Sequence, residues 1–69
     1  MKIYEHELIK SRYVEVFDLQ YYICRVCGIE AFRTSVEWYI STDWMVKNKL
    51  HGCLKDLTCN DIIIAKIIK

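Results

Sequence analysis

The sequence predicts a small α+β domain, β-hairpins followed by a C-terminal helix, held shut by something other than a large core. Three observations predict it. The chain has 69 residues, and a domain this small buries too little surface for its core alone to be secure. Its first forty residues carry short runs rich in β-branched and aromatic side chains, the composition of strands. Four cysteines, Cys24, Cys27, Cys53 and Cys59, fall into one pair at mid-chain and one ahead of the apolar tail.

Apolar residues make up 54% of the chain, which places it among globular rather than disordered sequences. Ten Lys or Arg face nine Asp or Glu. That balance lacks the basic stripe expected of a protein living on phosphate contacts. No run of about 18 apolar residues indicates a transmembrane helix. Glu5 and Glu7 stand where a signal peptide needs an apolar core, so the expected compartment is the reducing cytoplasm, where disulfides are rare.

Taken in order, residues 2–9 and 12–18 read as an N-terminal hairpin, with Lys10-Ser11-Arg12 as its turn. This hairpin, residues 1–20, extends a second part, residues 21–69, and the two pack as one domain. Tyr21-Tyr22-Ile23 reads as a strand entering Cys24, and residues 29–34 as the strand that returns. Val36 to Ile40 is a further strand. Ser41-Thr42-Asp43 supplies capping side chains for a short helix over 44–50, with Gly52 as its stop. Thr58-Cys59-Asn60-Asp61 has the spacing of a capping box and opens the last helix. Five isoleucines between 62 and 68 favour a strand by propensity. The cap before them and Lys66 and Lys69 in the last turn favour a helix with 63, 64, 67 and 68 on its apolar face.

The cysteines carry the chemistry. A Cys-x-x-Cys turn aims two sulfurs at one point, its amides donate to them, and a following glycine accepts a positive φ. Cys24, Cys27 and Gly28 fit that description. Cys59 lies at the start of the last helix, where free amides and the helix dipole favour a thiolate. With Cys53, these residues make a candidate Zn²⁺ site of four thiolates. The Cys-x5-Cys spacing of the second pair is wider than usual, and His51 is a rival to Cys53 as fourth ligand. His6, distant in sequence, reads as a surface residue. Disulfides, a redox Cys-x-x-Cys and unrelated buried thiols are the competing readings.

A cysteine knuckle, a strand pair and a helix whose first turn supplies the last ligand resemble the treble-clef zinc fingers, with zinc ribbons close by. The likeness spans roughly residues 21–68 and rests on Cys24, Cys27, Gly28 and Cys59. The Tyr22–Gly28 and Leu57–Asn60 segments are also similar to those of short, mostly uncharacterised proteins of bacteriophages and low-GC bacteria. That resemblance implies a phage-type inhibitor or adaptor of a host or defence protein.

No metalloprotease helix, phosphate-binding glycine loop or nucleophile elbow occurs. Four protein ligands would close the zinc to substrate, so the expectation is a non-enzymatic protein that acts by protein–protein interaction. Nucleic-acid binding is the alternative, through Arg25 and Arg33 beside the knuckle and the rings of Trp38, Tyr39 and Trp44. These five are the candidate partner contacts, although for either tryptophan a place in the core is the simpler reading. The Ile-rich tail suggests a homodimer.

Overall fold

The computed structural model describes residues 1–68, and the side chains of residues 1–67. The Ile68 side chain and Lys69, expected on the apolar face and in the last turn of the final helix, lie outside the described residues. Five strands run in sequence order through one antiparallel sheet: β1 (Lys2–Ile3), β2 (His6–Val14), β3 (Leu19–Cys24), β4 (Glu30–Arg33) and β5 (Trp38–Ile40). Two helices follow, α1 (Thr42–Asn48) and α2 (Cys59–Ile68). The expected α+β architecture is present.

The N-terminal turn differs from the expectation. Lys10-Ser11-Arg12 lies inside β2, where pairing steps from Lys10↔Tyr22 to Tyr13↔Gln20. Three residues on β2 thus advance against two on β3, a bulge with one extra residue. The Gln20 side-chain amide donates to the carbonyls of Ser11 (3.3 Å) and Arg12 (3.2 Å), partners the ladder cannot supply there. The real turns lie on either side. Tyr4 and Glu5 join β1 to β2 with φ of 48° and 71°, a mirror-image turn that usually takes Asn-Gly. A one-turn 3₁₀ segment, Glu15–Phe17, with Asp18 left-handed, joins β2 to β3. Neither turn carries the glycine that would announce it.

The other turns follow the local chemistry. Gly28, at φ 81°, closes the knuckle between β3 and β4, its N–H donating to the Cys24 carbonyl at 2.9 Å. The Ser41 hydroxyl accepts the Trp44 N–H at 3.4 Å and caps α1. That helix stops earlier than expected, at a left-handed Lys49 rather than at Gly52. Thr58 and Asp61 form the expected reciprocal box: the Thr58 N–H donates to the Asp61 carboxylate (3.0 Å), and the Asp61 N–H to the Thr58 hydroxyl (3.2 Å).

Period-two alternation sends Leu8, Cys24, Ala31 and Ile40 to one face of the sheet, where they pack with Ile29, Trp38, Trp44, Leu54 and Ile62. The tail is a helix, but its buried face is not the expected one. Ile62 is fully buried, whereas Ile64 and Ile67 are 54% and 77% exposed. The reason is rotational: Cys59 points inward, and Ile62, three residues on, shares its side of the helix. Lys66, a further turn along, reaches back to donate to the Cys27 carbonyl at 2.8 Å.

Candidate metal centre

Four donors from distant parts of the chain converge: His6, Cys24, Cys27 and Cys59, all within 4.8 Å of one another. Each is placed by an element just described. The tight turn at Tyr4-Glu5 delivers His6 as the first residue of β2. Cys24 ends β3, Cys27 sits in the glycine-closed knuckle, and Cys59 is the first residue of α2.

Three separations within the group match those of a coordination tetrahedron. Cys24 Sγ lies 3.6 Å from Cys59 Sγ, and His6 Nδ1 lies 3.4 Å from Cys27 Sγ and 3.5 Å from Cys59 Sγ. Ligands about 2.3 Å (sulfur) and about 2.05 Å (nitrogen) from a tetrahedral ion stand about 3.8 Å apart for S···S and about 3.6 Å for S···N. Disulfides, with sulfurs about 2.05 Å apart, are excluded by the same distance for Cys24 and Cys59, and all four cysteines are free.

The surroundings also fit a metal. His6 Nε2 lies 2.5 Å from the Leu57 carbonyl. A carbonyl only accepts, so Nε2 carries the proton and Nδ1 presents its lone pair to the cluster. The Val26 N–H donates to Cys24 Sγ at 3.4 Å. Burial pushes the Cys24 thiol up, but amide donors from Cys27, Val26 and Glu7, with the His6 side chain, more than offset it and bring the pKa down to about 6. Burial, then the neighbouring Cys24 and Cys27 sulfurs, push Cys59 up to about 12. Burial likewise raises Cys27. Three crowded sulfurs cannot all ionise unaided, and a cation among them relieves that repulsion.

The sequence-predicted residues divide. Cys24, Cys27 and Cys59 meet as a group. Cys53 and His51 are exposed and stand outside it. Their loop serves the centre differently: Cys53 O accepts the amides of Asp56 and Leu57, a turn that aims the Leu57 carbonyl at His6, and Leu54 anchors it in the core. His6, read from sequence as a surface residue, is fully buried. The signal that would have found it is its phase with Leu8, two residues on and equally buried, within an unbroken strand. Among the candidate partner residues, Trp38 and Trp44 are core residues at 8% and 9% exposure, while Arg25, Arg33 and Tyr39 are exposed.

No protein family, curated protein or solved structure matches this chain. Among the described residues, no helix is long and apolar enough to cross a membrane.

Proposed function

We propose that His6, Cys24, Cys27 and Cys59 hold one structural Zn²⁺, and that the chain is a non-enzymatic interaction module built around it. The observation that carries this reading is the tetrahedral spacing of one imidazole and three sulfurs, with the imidazole oriented by a backbone carbonyl. Soft thiolates with an imidazole suit zinc, and four protein ligands leave no position for substrate or water. The ion would tie the start of β2, the end of β3, the knuckle and the start of α2 into one node. Zinc binding in small domains contributes about 10–16 kcal/mol, whereas a whole domain of this length is stable by only about 3–10 kcal/mol. Metal therefore decides whether the chain folds.

Purified protein should contain one zinc per chain, and X-ray absorption should give three sulfur neighbours and one nitrogen. A strong chelator should abolish the thermal transition. An unchanged melt after complete metal removal would refute the structural role.

With catalysis set aside, the task falls to the surface. The resemblance to short phage and low-GC bacterial proteins extends the proposal to an inhibitor or adaptor of a host or defence protein, tested by affinity capture from a host lysate with metal-loaded bait. Exposed Ile63, Ile64 and Ile67 on α2 favour self-association as well. A solution mass equal to one chain at high concentration would remove that part.

A further inference from the structure

The sheet face opposite the core carries a row of rings. Tyr21, Phe32 and Tyr39 are cross-strand neighbours on β3, β4 and β5. The Tyr21 and Phe32 centroids are 5.6 Å apart, edge to face, and Phe32 and Tyr39 are 5.8 Å apart, stacked. Both helices contribute their buried residues, Trp44 and Ile62, to the other face.

Three carboxylates and Arg12 border the row, and Lys55 and Arg33 line the hollows next to Glu37 at the β5 edge. Glu30 and Asp43 flank Arg12, and the Glu37 carboxylate stands beside the Tyr39 hydroxyl, close enough to raise its pKa. Arg12 shows what the arrangement accepts. Its guanidinium lies 4.2 Å from the Tyr21 ring centre and donates to Glu30 through Nε (3.3 Å) and Nη2 (3.2 Å). A cation stacked on a ring and held by a carboxylate is thus already present at one end of the row. Phe32 and Tyr39, with Glu37, offer a second such pairing of rings and carboxylate, and among the described residues the cation recorded over a ring is Arg12 on Tyr21.

We infer that this face docks an arginine- or lysine-rich segment of a partner protein, whose cationic side chains lie on Phe32 and Tyr39 beside Glu37 as Arg12 lies on Tyr21 beside Glu30. The inference rests on the protein-interaction reading above and names the partner's chemistry. Glu30 and Asp43 at one end of the rings and Glu37 at the other disfavour a phosphate backbone lying along the row, which separates this face from a base-stacking platform. Rings and carboxylates together match a cation, whose attraction to a ring face adds to the ion pair.

The test uses zinc-loaded, isotope-labelled protein and follows its amide chemical shifts. The probe is a short peptide of alternating arginine and serine. Shifts should gather on residues 21–23, 30–33 and 38–40 and weaken as salt rises. Replacing both rings (Phe32→Leu with Tyr39→Leu) should cost on the order of tenfold in affinity, with zinc content unchanged. Glu37→Gln should weaken binding without disturbing the spectrum of the free protein. No binding by the basic peptide, or shifts confined to another surface, overturns the inference. A glutamate–serine peptide that takes the face instead overturns it but leaves the interaction reading standing. Single-stranded DNA that shifts the same residues overturns both. Concentration-dependent shifts there with a doubled mass overturn it in favour of a second copy of this chain.

Discussion

Replacing His6 by alanine tests the centre most sharply, because the imidazole is the donor that links the N-terminal strand to the rest. If about 10–16 kcal/mol of zinc binding is shared among four donors, losing one costs about 2.5–4 kcal/mol. That corresponds to about two to three orders of magnitude in metal affinity. The substitution also leaves the Leu57 carbonyl without its donor at 2.5 Å, a further cost of about 1–3 kcal/mol for a buried acceptor. The sum rivals the whole stability of a domain this size, about 3–10 kcal/mol. The H6A protein should therefore be largely unfolded without excess zinc and should surrender its metal to a chelator of moderate strength. Cys53→Ser is the control: its side chain is exposed and outside the cluster, so stability should move by no more than about 0.5 kcal/mol. Competition with a chromophoric chelator measures the affinities, and thermal unfolding the stability. Loss of metal in C53S with retention in H6A would refute the assignment of the fourth donor.

Further outcomes follow from the same geometry. Metal-loaded protein should present one fast-reacting thiol, Cys53, to a disulfide reagent, and four after chelation and unfolding; protection of Cys53 would count against its exposed placement. Folding at fixed free zinc should strengthen with pH, since three free thiols near 8.5 must lose protons to bind. The slope should be about 4 kcal/mol per pH unit between about 6.5 and 7.5, falling to about half that at about 8.5, and a flat profile of melting temperature against pH would contradict thiolate ligation. In the small fraction of metal-free protein that is folded, Cys24, lowered to about 6, favours the fold fully above its unfolded value and loses that contribution as pH falls through 6. Cys59, raised to about 12, works the other way: its unfolded form sheds protons first, so the fold weakens as pH climbs from its unfolded value toward 12. Lys66→Met removes the ammonium that donates to the Cys27 carbonyl and should lower stability by about 1.5 kcal/mol, read from thermal unfolding of the metal-loaded protein.

Much of this was legible where the signal is local. The Cys24–Gly28 knuckle and the Thr58–Asp61 box are short patterns whose hydrogen bonds close within a few residues, so composition and spacing suffice to read them. His6 was not legible because its role depends on long-range register. The expected turn at Lys10-Ser11-Arg12 broke β2 in two and hid the shared phase of His6 and Leu8. The bulge there is satisfied by Gln20, on another strand, which no local pattern announces. The rotation of α2 escaped for a related reason. Its isoleucines are apolar all round, and only the inward aim of Cys59 decides that Ile62 is buried. Tyr4-Glu5 takes a left-handed turn against the preference of both residues. Its cause is tertiary: the turn sets the β1–β2 pairing and delivers His6 inward.

The meeting of His6 with Cys59 has a consequence for the order of assembly. The two are 53 positions apart, and closing a loop of that length in a free chain costs about 3.5 kcal/mol of entropy beyond a constant. Cys24 and Cys27 meet almost without that cost. A nascent chain would thus capture an ion at the knuckle early, with His6 already made to join it, and one coordination position would stay with solvent until the last donor is synthesised. Only when Cys59 emerges does the far end meet the near end, and the ion that began as a local clasp becomes the buckle of a closed belt. Truncation just before Cys59 should leave His6, Cys24 and Cys27 binding zinc weakly, with one position open to solvent, as competition with a chelator would show.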